Sequence, residues 1–246
     1  TIAFLAATGI SDTTIANALN TMDLALIANG LDTKLYALYP FVGGTATTHK
    51  YNFMNPANTD AAFRLAFSGG GTHGSNGWQT GVNAYANTFF NDQTQAVTQG
   101  DYGFGCYSRT NTTGYKVDMG IVSATPAYSW IVSRYDATTT FAGVFDDSNF
   151  NGNYITDSRG YLSTQRVAGV EHVYRNSTQL ATRSFAATGY GNLNIFLAAR
   201  NLFGAASNYS DRQYCYFDIR KSMDATQMTN YYTIIQNLQT ALARNV

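Results

Sequence analysis

Between residues 63 and 219 the apolar side chains tend to recur at every second position, and no helical period separates one such run from the next. Phe63, Leu65 and Phe67 alternate with Arg64 and Ala66, and Cys215, Phe217 and Ile219 alternate with Tyr214, Tyr216 and Asp218. A period of two puts alternate side chains on opposite faces of a strand, so both runs read as half-buried strands. YSWIVSRY and NIFLAARN are apolar on both faces for part of their length, as at the centre of a sandwich. VYRNSTQLATRSF reads as two strands turning at Asn176-Ser177. Short strands punctuated by turns, without alternating helices, exclude a parallel α/β sheet and predict an antiparallel sandwich or barrel. Aromatic residues at 14%, with 18 Tyr and 15 Phe, suit pleated sheets.

Helical periods appear only at the two ends. Asp12 is placed to cap a helix carrying Ile15, Leu19, Met22 and Leu26, and Asn29-Gly30 stops it. A short helical turn from Asp32 toward Leu38 is expected to end before Pro40. Near the far end, Asp224 and Gln227 have capping-box spacing, followed by an apolar stripe of Met228, Tyr231, Ile235, Leu238 and Leu242. That stripe reads as core packing rather than a cofactor box. The expected organisation is one domain over 1–246: an N-terminal strand and helical segment (1–39), a β-sandwich (40–222) and a C-terminal helix (224–244).

Charged residues make up 12% of the chain and balance to a net charge of zero. That leaves no basic footprint for nucleic acid or an anionic membrane. No run reaches eighteen apolar residues, and TIAFLAATGI lacks the basic start and the length of a signal peptide. The chain begins at Thr1 rather than Met, which fits a fragment or a processed product. Cys106 and Cys215 are too few for a disulfide framework and read first as buried apolar side chains, with a single disulfide as the alternative.

Three motifs suggest chemistry. Gly69 to Gly74 satisfy G-x-G-x-x-G, yet the fingerprint needs a helix whose N-terminus seats the pyrophosphate, and GSNGWQTGVNAYANTFF is too rich in Gly, Asn and Thr to open one. The stretch is expected to be a long exposed loop presenting His73 and Trp78 as surface contacts. In DDSNFNGNYITD, Asp147, Asn149, Asn151 and Gly152 copy the first half of a calcium loop, but Ser158 stands at the closing position and Asp157 one residue before it. A polar hairpin loop is the preferred reading, with calcium on Asp147, Asn149, Asn151 and Asp157 as the alternative. Glycoside hydrolysis uses two carboxyls about 5 to 10 Å apart, whereas Glu171 is the chain's one Glu and no close acid pair is evident. His49, His73 and His172 are scattered and read as surface or hydrogen-bonded residues. The chain is therefore expected not to be an enzyme, and its ligand contacts are expected among loop residues: His73, Trp78, Tyr154 and Tyr209.

The segments YPFVGGTATTHKYNFMNP, DAAFRLAFSGG, NAYANTFF, YSRTN, TDSRGY and SDRQYCYF, closed by NYYTIIQNLQTALARNV, resemble proteins encoded by tailed bacteriophages and marine viral metagenomes. VYRNSTQLATRS, IFLAARN and the final strand and helix are also similar to the C-terminal half of laminin-G-like, concanavalin-type jelly rolls. These resemblances imply a mainly β, two-sheet antiparallel jelly roll placed at a virion surface, in tail, fibre or capsid. The implied partners are other virion subunits, copies of itself in a homo-oligomer, and a host-surface glycan or protein. The alternatives are an architectural lattice or decoration subunit and a secreted calcium-dependent lectin or adhesin. No catalytic residues come with the resemblance, and no resident cofactor is expected.

Overall fold

A computed structural model describes residues 1–123, 127–146 and 155–246. In chain order its elements are α1 (Ile2–Thr8), α2 (Thr13–Ala28), β1 (Leu35–Tyr39), α3 (Ala46–His49), β2 (Ala66–Ser68), β3 (Gly71–Gly74), β4 (Gly77–Thr80), β5 (Tyr85–Asn91), β6 (Asp101–Ser108) and β7 (Met119–Val122). They continue with β8 (Tyr128–Val132), β9 (Phe141–Asp146), β10 (Gly160–Val167), β11 (Val170–Arg175), β12 (Thr178–Ser184), β13 (Asn194–Leu197), β14 (Arg200–Leu202), β15 (Ala205–Ser207), β16 (Gln213–Arg220) and α4 (Ala225–Ala241).

Two sheets face each other. One runs β12-β11-β10-β6-β16-β4-β3, with β1 also paired to β16; the other runs β15-β14-β7-β13-β5-β2, with β8 joining β7 to β9. All pairings are antiparallel except β14 with β7, so the second sheet is mixed where a purely antiparallel one was expected. The inner faces meet in a core that includes Phe104, Cys106, Leu162, Phe217 and Ile219 from the first sheet and Ala86, Phe90, Ile131, Val144 and Leu197 from the second. Because α1, α2 and α4 cover the outer face of the first sheet, β16 is buried on both sides, not on one. A bulge between Tyr214 and Tyr216 also shifts its alternation. Cys215 and Tyr216 pack toward the helices, while Tyr214, Phe217 and Ile219 face the sandwich interior.

Asp12 caps α2 by accepting from the N–H groups of Thr14 and Ile15 at 2.8 and 3.1 Å. Asp224 and Gln227 close the expected capping box on α4. Met228, Tyr231, Ile235 and Leu238 are buried against the sheet. Elsewhere the local reading shifts. Residues 2–8 form a helix rather than a strand, and the turn at Asp32 is a single 3-10 turn that gives way to β1 at Leu35. Strand β2 starts only at Ala66, because Phe63 ends a 3-10 turn with a left-handed φ of 59°. The hairpin at Asn176 forms as expected, with Asn176 supplying φ 58°. Cys106 and Cys215 are buried free thiols. Among the described residues, no helix is long and apolar enough to cross a membrane.

Candidate functional site

Arg212 is fully buried just before β16 and pairs with the equally buried Asp118 at 3.0 Å. Its Nη1 and Nη2 also donate to the carbonyls of Thr112 at 2.9 Å, Lys116 at 3.3 Å and Arg134 at 3.3 Å. One guanidinium thus fixes two loops, 109–118 between β6 and β7 and 133–140 between β8 and β9, since its planar fork can satisfy several acceptors at once. The loops also bond directly: the Gly114 N–H donates to the carbonyls of Arg134 and Tyr135, at 3.1 and 2.8 Å. Asn111 ties in a third segment by accepting the Ser158 N–H at 3.1 Å, and Asn208 a fourth by donating to the Tyr115 carbonyl at 3.3 Å.

This frame holds two tyrosine rings in solvent. Tyr115 and Tyr135 are each 40% exposed and meet edge to face at 5.8 Å. Behind them Trp130, 1% exposed, stands edge-on to Tyr115 at 5.8 Å. The Arg200 guanidinium lies 5.7 Å from the Tyr115 ring and 5.6 Å from the Trp130 ring, and donates to the Tyr115 hydroxyl at 3.2 Å. Around the rings lie the Lys116–Asp211 ion pair, Arg134 and Asn111. Exposed apolar rings with a rim of donors and acceptors match the two sides of a sugar ring, which has an apolar C–H face and a hydroxyl edge.

Of the expected contact residues, Trp78 and His73 fall elsewhere and Tyr209 borders the site. Trp78 is 1% exposed, in the core, because the glycine-rich stretch is the β3–β4 hairpin and not a loose loop. Gly71 is needed there: a Cβ would sit 2.5 Å from the Trp78 Nε1. His73 is half-buried, stacked on Trp78 at 5.8 Å, and its Nδ1 lies 2.9 Å from that of His49. His49 and His73, far apart in sequence, are therefore partners. Burial, the neighbouring His73 and the cationic Arg244 push His49 down to about 3. Tyr209 is half-buried, its hydroxyl donating to the Ala206 carbonyl, beside the Asn208 that holds Tyr115. Tyr154, Asp147, Asn149 and Asn151 lie outside the described residues. Asp157 is paired with Arg159 at 2.7 Å, and the Arg159 N–H groups hold its carboxyl below the usual carboxylate range. Tyr115 and Tyr135 satisfied the sequence criterion for contacts, aromatics in polar loops, in TNTTGYKVD and SRYDATTT.

A close acid pair does exist. Glu171 from β11 reaches across the sandwich to accept the Val144 N–H of β9 at 2.6 Å, next to Asp146, which accepts from Arg183. Burial and the neighbouring Asp146 push Glu171 up to about 8. Strand positions 25 residues apart gave no sign of this contact, which the stacking of the two sheets creates. Both carboxyls are fully buried, and their bonds to Val144 and Arg183 tie the two sheets together. A separate cleft of about 640 Å³ opens between the α1–α2 turn, Gly43-Gly44, Ser75 and the chain's last turn. Its buried Arg244 is committed to the carbonyls of Phe41 and Pro40, at 2.7 and 3.1 Å, and no aromatic ring lines it.

No family model matches the sequence, and no curated protein does. Among solved structures, the binding domain of botulinum neurotoxin serotype D is similar with a TM-score of 0.53 and 7% identity, over 82% of this chain and 52% of that one. The chain therefore spans about half of that domain. Domain 4 of AbnA, an extracellular arabinanase from Geobacillus stearothermophilus solved with arabinotriose, gives 0.48 at 14% identity over 80% and 98%. Domains LG4-5 of the mouse laminin α1 chain give 0.38 at 12% identity over 52% and 39%. The last two scores are too low to carry an argument. The fold class is a mainly β, two-sheet sandwich with helical segments at both ends, shared with the neurotoxin binding domain.

Proposed function

We propose that this chain is a non-enzymatic glycan-binding module displayed on the surface of a bacteriophage particle. The observation that carries the binding half is the Tyr115–Tyr135 pair, held in solvent by a fully buried Arg212 frame. Large exposed rings that are rigidly held lose little entropy on contact with a ligand, which is how a small surface gains affinity. The fold shared with a toxin's binding domain supports the same reading. The virion placement rests on the resemblance of the sequence to phage proteins. A glycan array and a host-cell binding assay on the folded chain test it; silence in both sinks the reading.

A purely architectural role is the second reading. It is favoured by Ile2, Leu24 and Ile27, which are 85, 59 and 55% exposed on α1 and α2, where neighbouring subunits would cover them. Locating the chain in an intact particle separates the two: a lattice-buried Tyr115 face favours architecture, an outward one favours attachment.

A further inference from the structure

The polar groups around the tyrosine pair are unevenly charged. Lys116 is neutralised by Asp211, and Arg159 by Asp157. Asp136 stays anionic beside Tyr135, its carboxylate accepting from the N–H groups of Thr138 and Thr139 at 2.8 Å each, and it offsets one of the nearby cations. Among the described residues, two guanidiniums next to the rings have no carboxylate partner. Arg134 bonds only Asn111 and the Ala137 carbonyl. Among the described residues, the Arg200 side chain bonds the Tyr115 hydroxyl through Nη1 and Ser207 through Nε, and its Nη2 has no hydrogen-bond partner.

Resting on the reading of this face as a glycan site, we propose that the sugar it takes is acidic, carrying a carboxylate or sulfate beside the ring that stacks on Tyr115. Arg200 lies beside the Tyr115 ring and holds its hydroxyl, which puts a guanidinium nitrogen with no other hydrogen-bond partner among the described residues next to any sugar that contacts that ring. A hydrogen bond from a guanidinium to an anionic oxygen is about twice as strong as one between neutral groups. A neutral sugar would leave the excess cation at Arg200 uncompensated and partly desolvated under it, whereas an anion neutralises it. The apolar Tyr pair supplies contact area, and the cations supply selection.

The test is a panel of glycans in matched neutral, carboxylate-bearing and sulfated forms, titrated against the wild-type chain, Arg200→Gln and Arg200→Lys at low and high salt. The expected result is binding of acidic forms at least tenfold tighter than their neutral counterparts. That preference should weaken with salt, fall away in Arg200→Gln with an unchanged melting temperature, and return in part in Arg200→Lys. The carboxylate and sulfate arms tell the two anions apart. Equal or tighter binding of neutral forms overturns the inference and leaves the glycan reading standing. An acidic preference that survives Arg200→Gln overturns the role of Arg200, and failure of every form overturns both readings.

Discussion

Protonating the His49–His73 pair should weaken the fold on the acid side. The two Nδ1 atoms are 2.9 Å apart, so one must donate and the other accept, and a doubly protonated pair would set two donors against each other. Among the described residues His49 Nε2 is buried without a partner, which favours the proton on its Nδ1, given to His73. Burial, His73 and Arg244 hold the folded His49 at about 3, against 6.5 for the free side chain. A depressed folded value means that the stability is complete above pH 6.5 and drains away as the pH falls toward 3. At about pH 5 the unfolded chain has taken up the proton and the folded chain has not, a loss of about 2 kcal/mol from His49 alone. Glu171 and Asp218, whose folded values are raised to about 8 and about 6, titrate in the opposite sense and offset it. The readout is therefore a difference: urea unfolding of the wild type and of His49→Gln, each at about pH 7.5 and about pH 5. The variant should lose about 2 kcal/mol less over that interval. Equal losses in the two proteins would refute the reasoning.

Glu171→Gln keeps the acceptor for the Val144 N–H and removes the titration. Since Glu171 is raised to about 8 from 4.5, its contribution is complete below pH 4.5 and is lost as the pH rises through 8, so the variant's stability should decline less on the alkaline side in melts across that range. Ile235→Ala with Leu238→Ala should cost about 2 to 5 kcal/mol per site, because both are buried under α4 against the sheet. Deleting 224–246 should leave insoluble protein; a soluble deletion form that melts like the parent and no longer assembles would mark the α4 stripe as a subunit interface. Melting temperature should not respond to millimolar calcium, since Asp157 is already paired with Arg159 and Arg175; a calcium-dependent rise would restore the metal reading.

Strand and helix content were readable wherever the signal was local. The Asp224–Gln227 cap and the Asn176 turn each depend on a few adjacent residues, and both form as expected. The misreadings came where tertiary contact overrides pattern. Trp78 has the glycine-rich flanks of a loop residue, yet Gly71 is there to let the indole pack. β16 looked half-buried because alternation cannot reveal a helical layer on the far face. His49 with His73, and Glu171 with Asp146, are contacts between segments that only the sandwich brings together. The site followed the same division. Its aromatic loops were visible, whereas choosing Tyr115 and Tyr135 over Trp78 needed the burial of one set and the exposure of the other.

The glycan reading stands on the tyrosine pair, and calorimetric titration of a glycan-array hit against the wild-type chain and Tyr115→Ala/Tyr135→Ala tests that pair directly. Tyr115 packs on the buried Trp130 and Tyr135 on Phe141, so the variant should melt below the parent while remaining folded at the titration temperature, which a melting curve checks. Its affinity should fall by at least about tenfold, equivalent to about 1.4 kcal/mol of lost contact. A folded variant that binds the same glycan as tightly as the wild type would contradict the account.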